Sequence, residues 1–230
     1  MYKRQSPYRK VEQTLEQLRP QILKALPNTG ITPERLSRIT LTTIKMNPLL
    51  LNCDSESLFG AVMQAASLGL EPNLLGSCYF IPYKDNKNNR HVVQFQIGYR
   101  GLIDLVMRSG QVKTIMANVV YKNDFFEYEY GLNEQLRHIP TIEERGEATH
   151  VYAYAMLKEG GHSFVVMPIS EIYKIRDNFS KSYQGAKKYN NTGSSIWVKH
   201  FDAMAKKTAI KQLIKYLPIS TSIHEQVSYD

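Results

Sequence analysis

Residues 77–101 read SCYFIPYKDNKNNRHVVQFQIGYRG. From Ser77 onward the apolar pattern has a period of two, with Cys78, Phe80 and Pro82 alternating with Tyr79, Ile81 and Tyr83. A polar tip follows (Asp85, Asn86, Lys87, Asn88, Asn89 and Arg90), and then Val93, Phe95, Ile97 and Tyr99 alternate with Gln94, Gln96 and Gly98. Alternation on both sides of a basic, asparagine-rich turn predicts a β-hairpin with one apolar face and one face carrying glutamines. Residues 101–108 then read as a short helix closed by Gly110.

Upstream of the hairpin the period is helical. Val11, Leu15, Leu18, Ile22 and Leu26 recur at helical spacing, with Pro20 expected to interrupt the helix and Pro27 to stop it. Thr32 is a good N-cap, followed by Pro33 at the first helical position and Glu34 in the first turn. That second helix runs to about Met46, where Asn47 and Pro48 end it. A third follows Asp54, with Leu58, Val62, Ala65 and Ala66 on one side and Gly69 near its end. Downstream, strands are expected at about 112–121, 124–130, 148–157 and 162–167, joined as an antiparallel meander. Ser170 caps a helix to about Phe179, residues 180–195 read as a mobile loop, and a long helix covers 197–217 up to Pro218. The fold class is therefore α+β: an antiparallel β-sheet with packed helices, an N-terminal helical unit and a long C-terminal helix.

The chain has 230 residues, 43% hydrophobic and 22% charged, which is the composition of an ordinary globular protein. The polar N-terminus lacks the apolar run of a secretory signal, and nowhere do about 18 uninterrupted apolar residues suggest a membrane span. Two cysteines, Cys53 and Cys78, are too few for a disulfide framework, so a reducing cytoplasm is expected. The net charge of +8 is unevenly spread. Residues 1–30 and 80–115 each carry six Lys/Arg against two Asp/Glu, and residues 158–217 carry eleven against four. Residues 121–147 carry three against seven, a balance of −4. Grouped cations beside an acidic segment suit a polyanion site with an opposing surface, because counterion release rewards clustering. Solvated lysines without a partner would give the same composition.

Common catalytic signatures are missing. No G-x-x-x-x-G-K-[ST] phosphate loop occurs, nor C-x-x-C, H-x-E or H-E-x-x-H, and the six histidines are scattered without metal-ligand spacing. His150, on an expected strand, reads as a structural histidine. Nucleases that hold Mg²⁺ on strand carboxylates often use a Glu-x-Lys element, and none occurs here. Glu127 and Glu129 lie two apart among other acids, the pattern of a solvated face.

What is present is basic charge with aromatics close by. On the expected final helix Lys207, Lys211 and Lys215 form an i, i+4, i+8 stripe. Lys199 and Lys206, seven apart, align on a neighbouring face, opposite a packing face of Trp197, Phe201, Met204 and Thr208. Such a stripe can track a phosphate backbone, but taken alone it fits a solvent-facing amphipathic helix better. The hairpin supplies Lys84, Lys87 and Arg90 at its loop, and Tyr99 and Arg100 where it meets the short helix. Arg100 has the fork to hold a phosphate, Gln94 and Gln96 suit sugar or phosphate, and Tyr79, Tyr83 and Tyr99 either stack bases or pack across strands.

Two groups of strings resemble a known family. Residues 64–72 (QAASLGLEP), 81–84 (IPYK) and 95–102 (FQIGYRGL) form one group, and 202–208 (DAMAKKT), following Trp197, forms the other. They are similar to the core of RecT-family phage and prophage recombinases, in the same order, and the similarity spans roughly residues 56–217. The resemblance implies a fold related to the Red-beta superfamily of annealing proteins, in which a sheet and a helix form a positively charged groove. It implies ATP-independent annealing of complementary DNA single strands during homologous recombination in the cytoplasm of a bacterial host, by protomers assembled into rings or helical filaments. It also implies a 5′→3′ exonuclease as partner and often contact with host single-strand-binding protein. Carried over onto this chain, Arg100 is a DNA contact, Lys199, Lys206 and Lys207 are basic positions of the same kind, and Arg108 is a further candidate. The chain departs from the family pattern in a longer 180–195 segment and in Val198, where a basic residue is expected.

The expected DNA-binding set is therefore Lys84, Arg90, Gln96, Tyr99, Arg100, Arg108, Lys199, Lys206, Lys207 and Lys211. No catalytic residue, metal ligand or nucleotide cofactor is expected, with Mg²⁺ at most a modulator of strand binding. The organisation expected is an N-terminal helical region for protomer contacts (1–55), a DNA-binding core (56–217) and a tail (218–230). Two other classes remain: a metal-dependent nuclease, and an assembly protein whose basic faces bind acidic partners.

Overall fold

A computed structural model of the chain describes residues 7–72, 76–85 and 88–219. Lys87 and the end of the tail, residues 220–230, lie outside the described residues. The fold is α+β with antiparallel pairing throughout the named strands. It divides into two compact units between Leu105 and Val106.

The first unit contains α1 (Pro7–Ala25), α2 (Pro33–Met46), α3 (Ser55–Leu68), β1 (Cys78–Asp85) and β2 (Arg90–Ile97). The boundary itself falls within α4 (Tyr99–Arg108). The capping signals act as expected: Thr32 accepts from the Arg35 N–H, Asp54 accepts from the Ser57 N–H, and Gly69 closes α3 in the left-handed region. α1 does not break at Pro20. Proline there is solvent-exposed, while Leu15 and Ile22 on either side are buried, so packing holds the helix continuous across the missing hydrogen bond. The hairpin pairs Cys78 with Ile97, Phe80 with Phe95 and Pro82 with Val93. Phe80, Cys78, Val93 and Ile97 are buried, and the face is packed against α3. The α3 end also ties down β2, since the Val93 N–H donates to Ser57 Oγ at 2.9 Å and the Asp54 N–H to the His91 carbonyl at 2.7 Å.

In the second unit β3 (Val112–Tyr121), β6 (Ala148–Leu157) and β7 (His162–Pro168) form one sheet in the order β3-β6-β7. β4 (Phe125–Glu129) pairs only with β5 (Gln135–Ile139), which the sequence pattern did not predict. The expected meander is therefore corrected: β3 pairs with β6, and the β4–β5 hairpin is an insertion between them. Strand length explains the choice, since β3 and β6 are ten residues each with long apolar runs, whereas β4 has five residues, four of them exposed. β6 turns Val151, Ala153 and Ala155, all fully buried, to one face and His150, Tyr152 and Tyr154 to the other. The hairpin covers the aromatic face, with Phe126 stacked on Tyr152 at 5.7 Å and Tyr130 on Phe164 at 5.1 Å.

The helices that follow also differ from expectation. After α5 (Ile169–Phe179), residues 181–188 form α6 (Lys181–Lys188) rather than a mobile loop. Ser180 caps it, and its one buried side chain, Tyr183, lies under the Arg176 guanidinium at 4.1 Å. The expected long helix breaks at His200 into α7 (Ile196–Lys199) and α8 (Phe201–Ile214). On one continuous helix Trp197 and Leu213 would point about 160° apart. Both are buried, and the break at His200 allows it. α8 packs against β6, β3 and β7 and buries Ala205, Thr208, Ala209, Ile210, Leu213 and Ile214. Of the expected packing face, Trp197 and Thr208 are buried, while Phe201 and Met204 are only half-buried and the packed arc is wider than expected.

A buried carboxylate holds the hairpin root. The Asp124 side chain is fully buried and accepts from the backbone N–H groups of Tyr121 (2.9 Å) and Thr141 (3.0 Å), from Arg145 Nε (3.0 Å) and from His138 Nε2 (3.0 Å). With the His138 proton on Nε2, its Nδ1 accepts from the Tyr152 hydroxyl at 3.1 Å, whose oxygen accepts from Asn118. Arg145 also covers the Tyr121 ring at 4.3 Å, and the Tyr121 hydroxyl donates to Asp202 at the start of α8. Burial and that bond push the Tyr121 hydroxyl up to about 12.

The Arg145 hydrogen bond, with the backbone donors and His138, holds the Asp124 carboxyl well below the usual carboxylate range. A depressed folded value contributes stability above the unfolded value of about 4, and that contribution is lost as pH falls through the folded value. Asp124→Asn is expected to lose about 2–3 kcal/mol at neutral pH and to flatten the acid limb of the stability curve, measured by denaturant melts from neutral pH down into the strongly acid range below the unfolded value. An unchanged acid limb in the variant would contradict this role.

Candidate nucleic-acid interface

The hairpin meets α4 through a backbone crossing. The Gly98 N–H donates to the Ser77 carbonyl at 2.8 Å, and the Gly98 carbonyl accepts from Leu102 as the first turn of α4. A Cβ at Gly98 would lie 1.9 Å from the Gly76 carbonyl oxygen, and one at Gly101 2.1 Å from that of Ser77. Neither neighbour is a side chain that can swing away, so glycine is required at both positions. Between these two glycines sit Tyr99 and Arg100.

The crossing fixes where Arg100 stands. Its side chain is exposed, and both it and the Tyr79 hydroxyl border the space beside Gly76. The guanidinium donates to the Tyr99 hydroxyl, which holds Arg100 still further into its charged range. Gln96 lies opposite Tyr79 in the register, on the outer face of the hairpin with Gln94, Ile81 and Tyr83. Tyr79 and Tyr83 are exposed on this face rather than buried in the core. Gln96, Tyr99 and Arg100 are thus brought together at the hairpin base, an arginine fork flanked by two tyrosine rings and a glutamine.

Lys84 and Arg90 are not part of that group. Both are exposed at the far end of the hairpin, six residues or about 20 Å along the strand from Gln96. Arg90 lies 3.8 Å from Asp85, a surface pair in which the arginine is exposed and the aspartate half-buried.

The remaining candidates belong to the second unit. Arg108 is exposed at the end of α4. Lys199 is exposed on α7, and the break at His200 removes its expected alignment with Lys206. Lys206, Lys207 and Lys211 are half-buried on α8. Lys207 and Lys211 sit one turn apart, on the side of α8 away from Ala209 and Leu213. Lys206 falls within the buried arc, its stem beside Ala205 and Ile210, and reaches solvent only by its head. Lys215 continues the Lys207–Lys211 line just past the helix, its ammonium donating to Gln212 at 2.8 Å.

Sequence reasoning missed the glycine crossing, although its signal was present: Gly76, Gly98 and Gly101 bracket the Ser77 and Tyr99–Arg100 segments. Among the described residues no group of three or more His, Cys, Asp or Glu side chains is placed to hold a metal ion. What the two surfaces offer chemically is phosphate binding by fixed cations and stacking by exposed rings.

Two glycine variants are expected to move stability in opposite directions. Gly98→Ala forces backbone apart and should cost about 3 kcal/mol or more. Gly60→Ala, in α3 with no atom within 4 Å of the added methyl, should stabilise by about 0.5–1 kcal/mol. Thermal melts check both, and equal effects would contradict the crossing.

Residues 34–230 match the sequence profile of the RecT family. The chain is 44% identical over 216 residues to Protein RecT of Escherichia coli (strain K12), covering 93% of this chain and 76% of that protein. It is 26% identical over 200 residues to the uncharacterized protein YqaK of Bacillus subtilis (strain 168), covering 85% of this chain and 63% of that protein. The two string groups and the glycine crossing with its tyrosine–arginine pair lie inside the matched region, and by the extent of these matches the chain belongs to the RecT family.

Proposed function

We infer that this protein is an ATP-independent single-strand annealing protein that acts in homologous recombination. The observation that carries the reading is Arg100, exposed beside Tyr79 and Tyr99 on a turn that two glycines make rigid. A fixed cation beside exposed rings suits a strand held by its phosphates, with sequence-tolerant stacking. Lys207 and Lys211, with Lys199, Lys206 and Arg108, extend the phosphate contacts on the second unit, and Lys84 and Arg90 do so at the hairpin tip.

In this reading each protomer holds a few nucleotides by their backbone and leaves the base edges open. A second strand is then tested by pairing, and many protomers in a ring or filament hold the paired intermediate. Base pairing supplies specificity and much of the driving force, as in other systems where protein reads only shape. No catalytic group and no nucleotide cofactor takes part, and Mg²⁺ acts at most on strand binding. Residues 1–55 supply protomer contacts, residues 56–217 bind DNA, and the setting is the cytoplasm of a bacterial host. The partners are a 5′→3′ exonuclease, which generates single strands, and host single-strand-binding protein.

The test is annealing of two complementary fluorescent oligonucleotides without nucleotide cofactor. Wild type is expected to accelerate pairing over protein-free strands. Arg100→Ala combined with Lys207→Ala, folded by circular dichroism, is expected to lose about tenfold or more of that acceleration at moderate salt. No acceleration by wild type, or Mg²⁺-dependent loss of full-length DNA, would overturn the reading in favour of an assembly protein or a nuclease.

A further inference from the structure

The β4–β5 hairpin exposes apolar side chains in the most acidic part of the chain. Leu132 at its tip and Ile142 just beyond β5 have relative exposures of 104% and 102%, and Phe125 and Ile139, paired in the register, are 44% and 48% exposed. Residues 121–147 carry seven Asp/Glu against three Lys/Arg. The buried member of that set is Asp124, and Arg145, one of the three cations, is engaged by it, so the remaining six acids against two cations keep the balance of −4. The hairpin is not a loose arm. The Tyr130 hydroxyl accepts the edge N–H of Val166 at 2.8 Å, the Tyr130 ring stacks on Phe164, and Asp124 ties the root. An exposed leucine on a rigid acidic hairpin is an interaction feature rather than a frayed loop.

A surface of the opposite kind lies on α5–α7. Residues 169–199 carry six Lys/Arg against two Asp/Glu, a balance of +4 against the −4 of the hairpin segment. Arg176 is occupied between Tyr173, Tyr183 and Asp177, while Lys174, Lys181, Lys187 and Lys188 are exposed, and Lys199 at the far end of α7 is left to the phosphate contacts. Between these lysines Phe179 is 77% exposed, Tyr189 78% and Ile196 55%. The helices hold them out: α6 is capped by Ser180, and α7 by Ser195.

We propose that the acidic β4–β5 hairpin of one copy docks on the basic, aromatic α5–α7 face of the next, making the head-to-tail contact by which protomers assemble. The proposal rests on the reading of the chain as a self-assembling protein and names the surfaces involved. The two surfaces match in two respects that an interface needs, opposite charge and exposed apolar side chains. Because they are different surfaces of the same chain, the contact is heterologous, and repeating it generates a ring or an open filament rather than a closed dimer. The hairpin's acidity makes it a poor phosphate-binding surface and complements a basic protein surface.

Charge reversal tests the pairing in the full chain, by sedimentation with and without a single-stranded oligonucleotide. Glu127→Lys with Glu129→Lys, and separately Lys187→Glu with Lys188→Glu, are each expected to weaken assembly by about tenfold or more. An equimolar mixture of the two variants restores it, since each reversed surface then meets its complement on the other variant. Wild-type assembly that neither variant changes overturns the proposed contact and leaves self-assembly itself standing. Wild type that stays monomeric with and without DNA overturns both. If the α5–α7 variant assembles normally and loses DNA binding instead, that face binds nucleic acid and the proposal falls. Should a charge-reversed chain fail to fold, mixed Leu132→Cys and Tyr189→Cys chains decide: a cross-linked dimer that neither gives alone supports the contact, and its absence refutes it.

Discussion

Two segments of backbone cross at Gly98 and Gly76 with no room for a single added carbon between them. That closeness fixes the exit of β2, starts α4 one residue later, and leaves Tyr99 and Arg100 with no freedom to move as a loop would. The apolar side of the hairpin is buried against α3, whose own start caps the β2 edge through Ser57 and Asp54. The polar side, with Tyr79, Tyr83, Gln94 and Gln96, is thereby presented to solvent next to Arg100. A backbone fixed in this way suits the phosphate-binding role proposed for Arg100, because the entropy of ordering the turn has been lost at folding rather than at binding.

The second unit solves a different packing problem. Its central strand, β6, carries small residues on one face and rings on the other. Ala153 and Ala155 leave room for α8, whose Ala205 and Ala209 are likewise fully buried, so the helix is sunk deep enough to half-bury Lys206, Lys207 and Lys211. The ring face is roofed by a hairpin whose root is held by the buried Asp124 carboxylate. The acid segment that looked like a merely solvated face is thus partly structural: Asp124 organises it, while its glutamates remain outside.

Much of this was legible because the deciding signals are local. Alternation in residues 78–97 gave the hairpin and its correct faces, and Thr32, Asp54 and Gly69 marked helix ends by the hydrogen bonds they make. The family strings marked Arg100, Lys206 and Lys207 as candidates, and the structure places Arg100 exposed and the two lysines half-buried. What escaped was set by tertiary packing. β5 alternates, but its inward residues are Leu136 and His138 among Gln and Arg, too polar to announce a strand. α6 buries only Tyr183, so it has no periodic stripe to detect. The break at His200 involves neither proline nor glycine and exists because Trp197 and Leu213 must both reach the core. For the same reason the expected lysine faces were displaced: a helix buried over most of its circumference gives no clear amphipathic pattern.

The central claim is that the protein holds single strands through phosphates and not through base identity. Fluorescence anisotropy of labelled single strands of unrelated sequence, across a range of salt concentrations, tests it most directly. The account predicts a steep linear fall of log affinity with log salt, with the same slope for every sequence, and a slope shallower by about 0.7 in Arg100→Ala. A salt-insensitive affinity, or strong preference for one sequence over another, would contradict it.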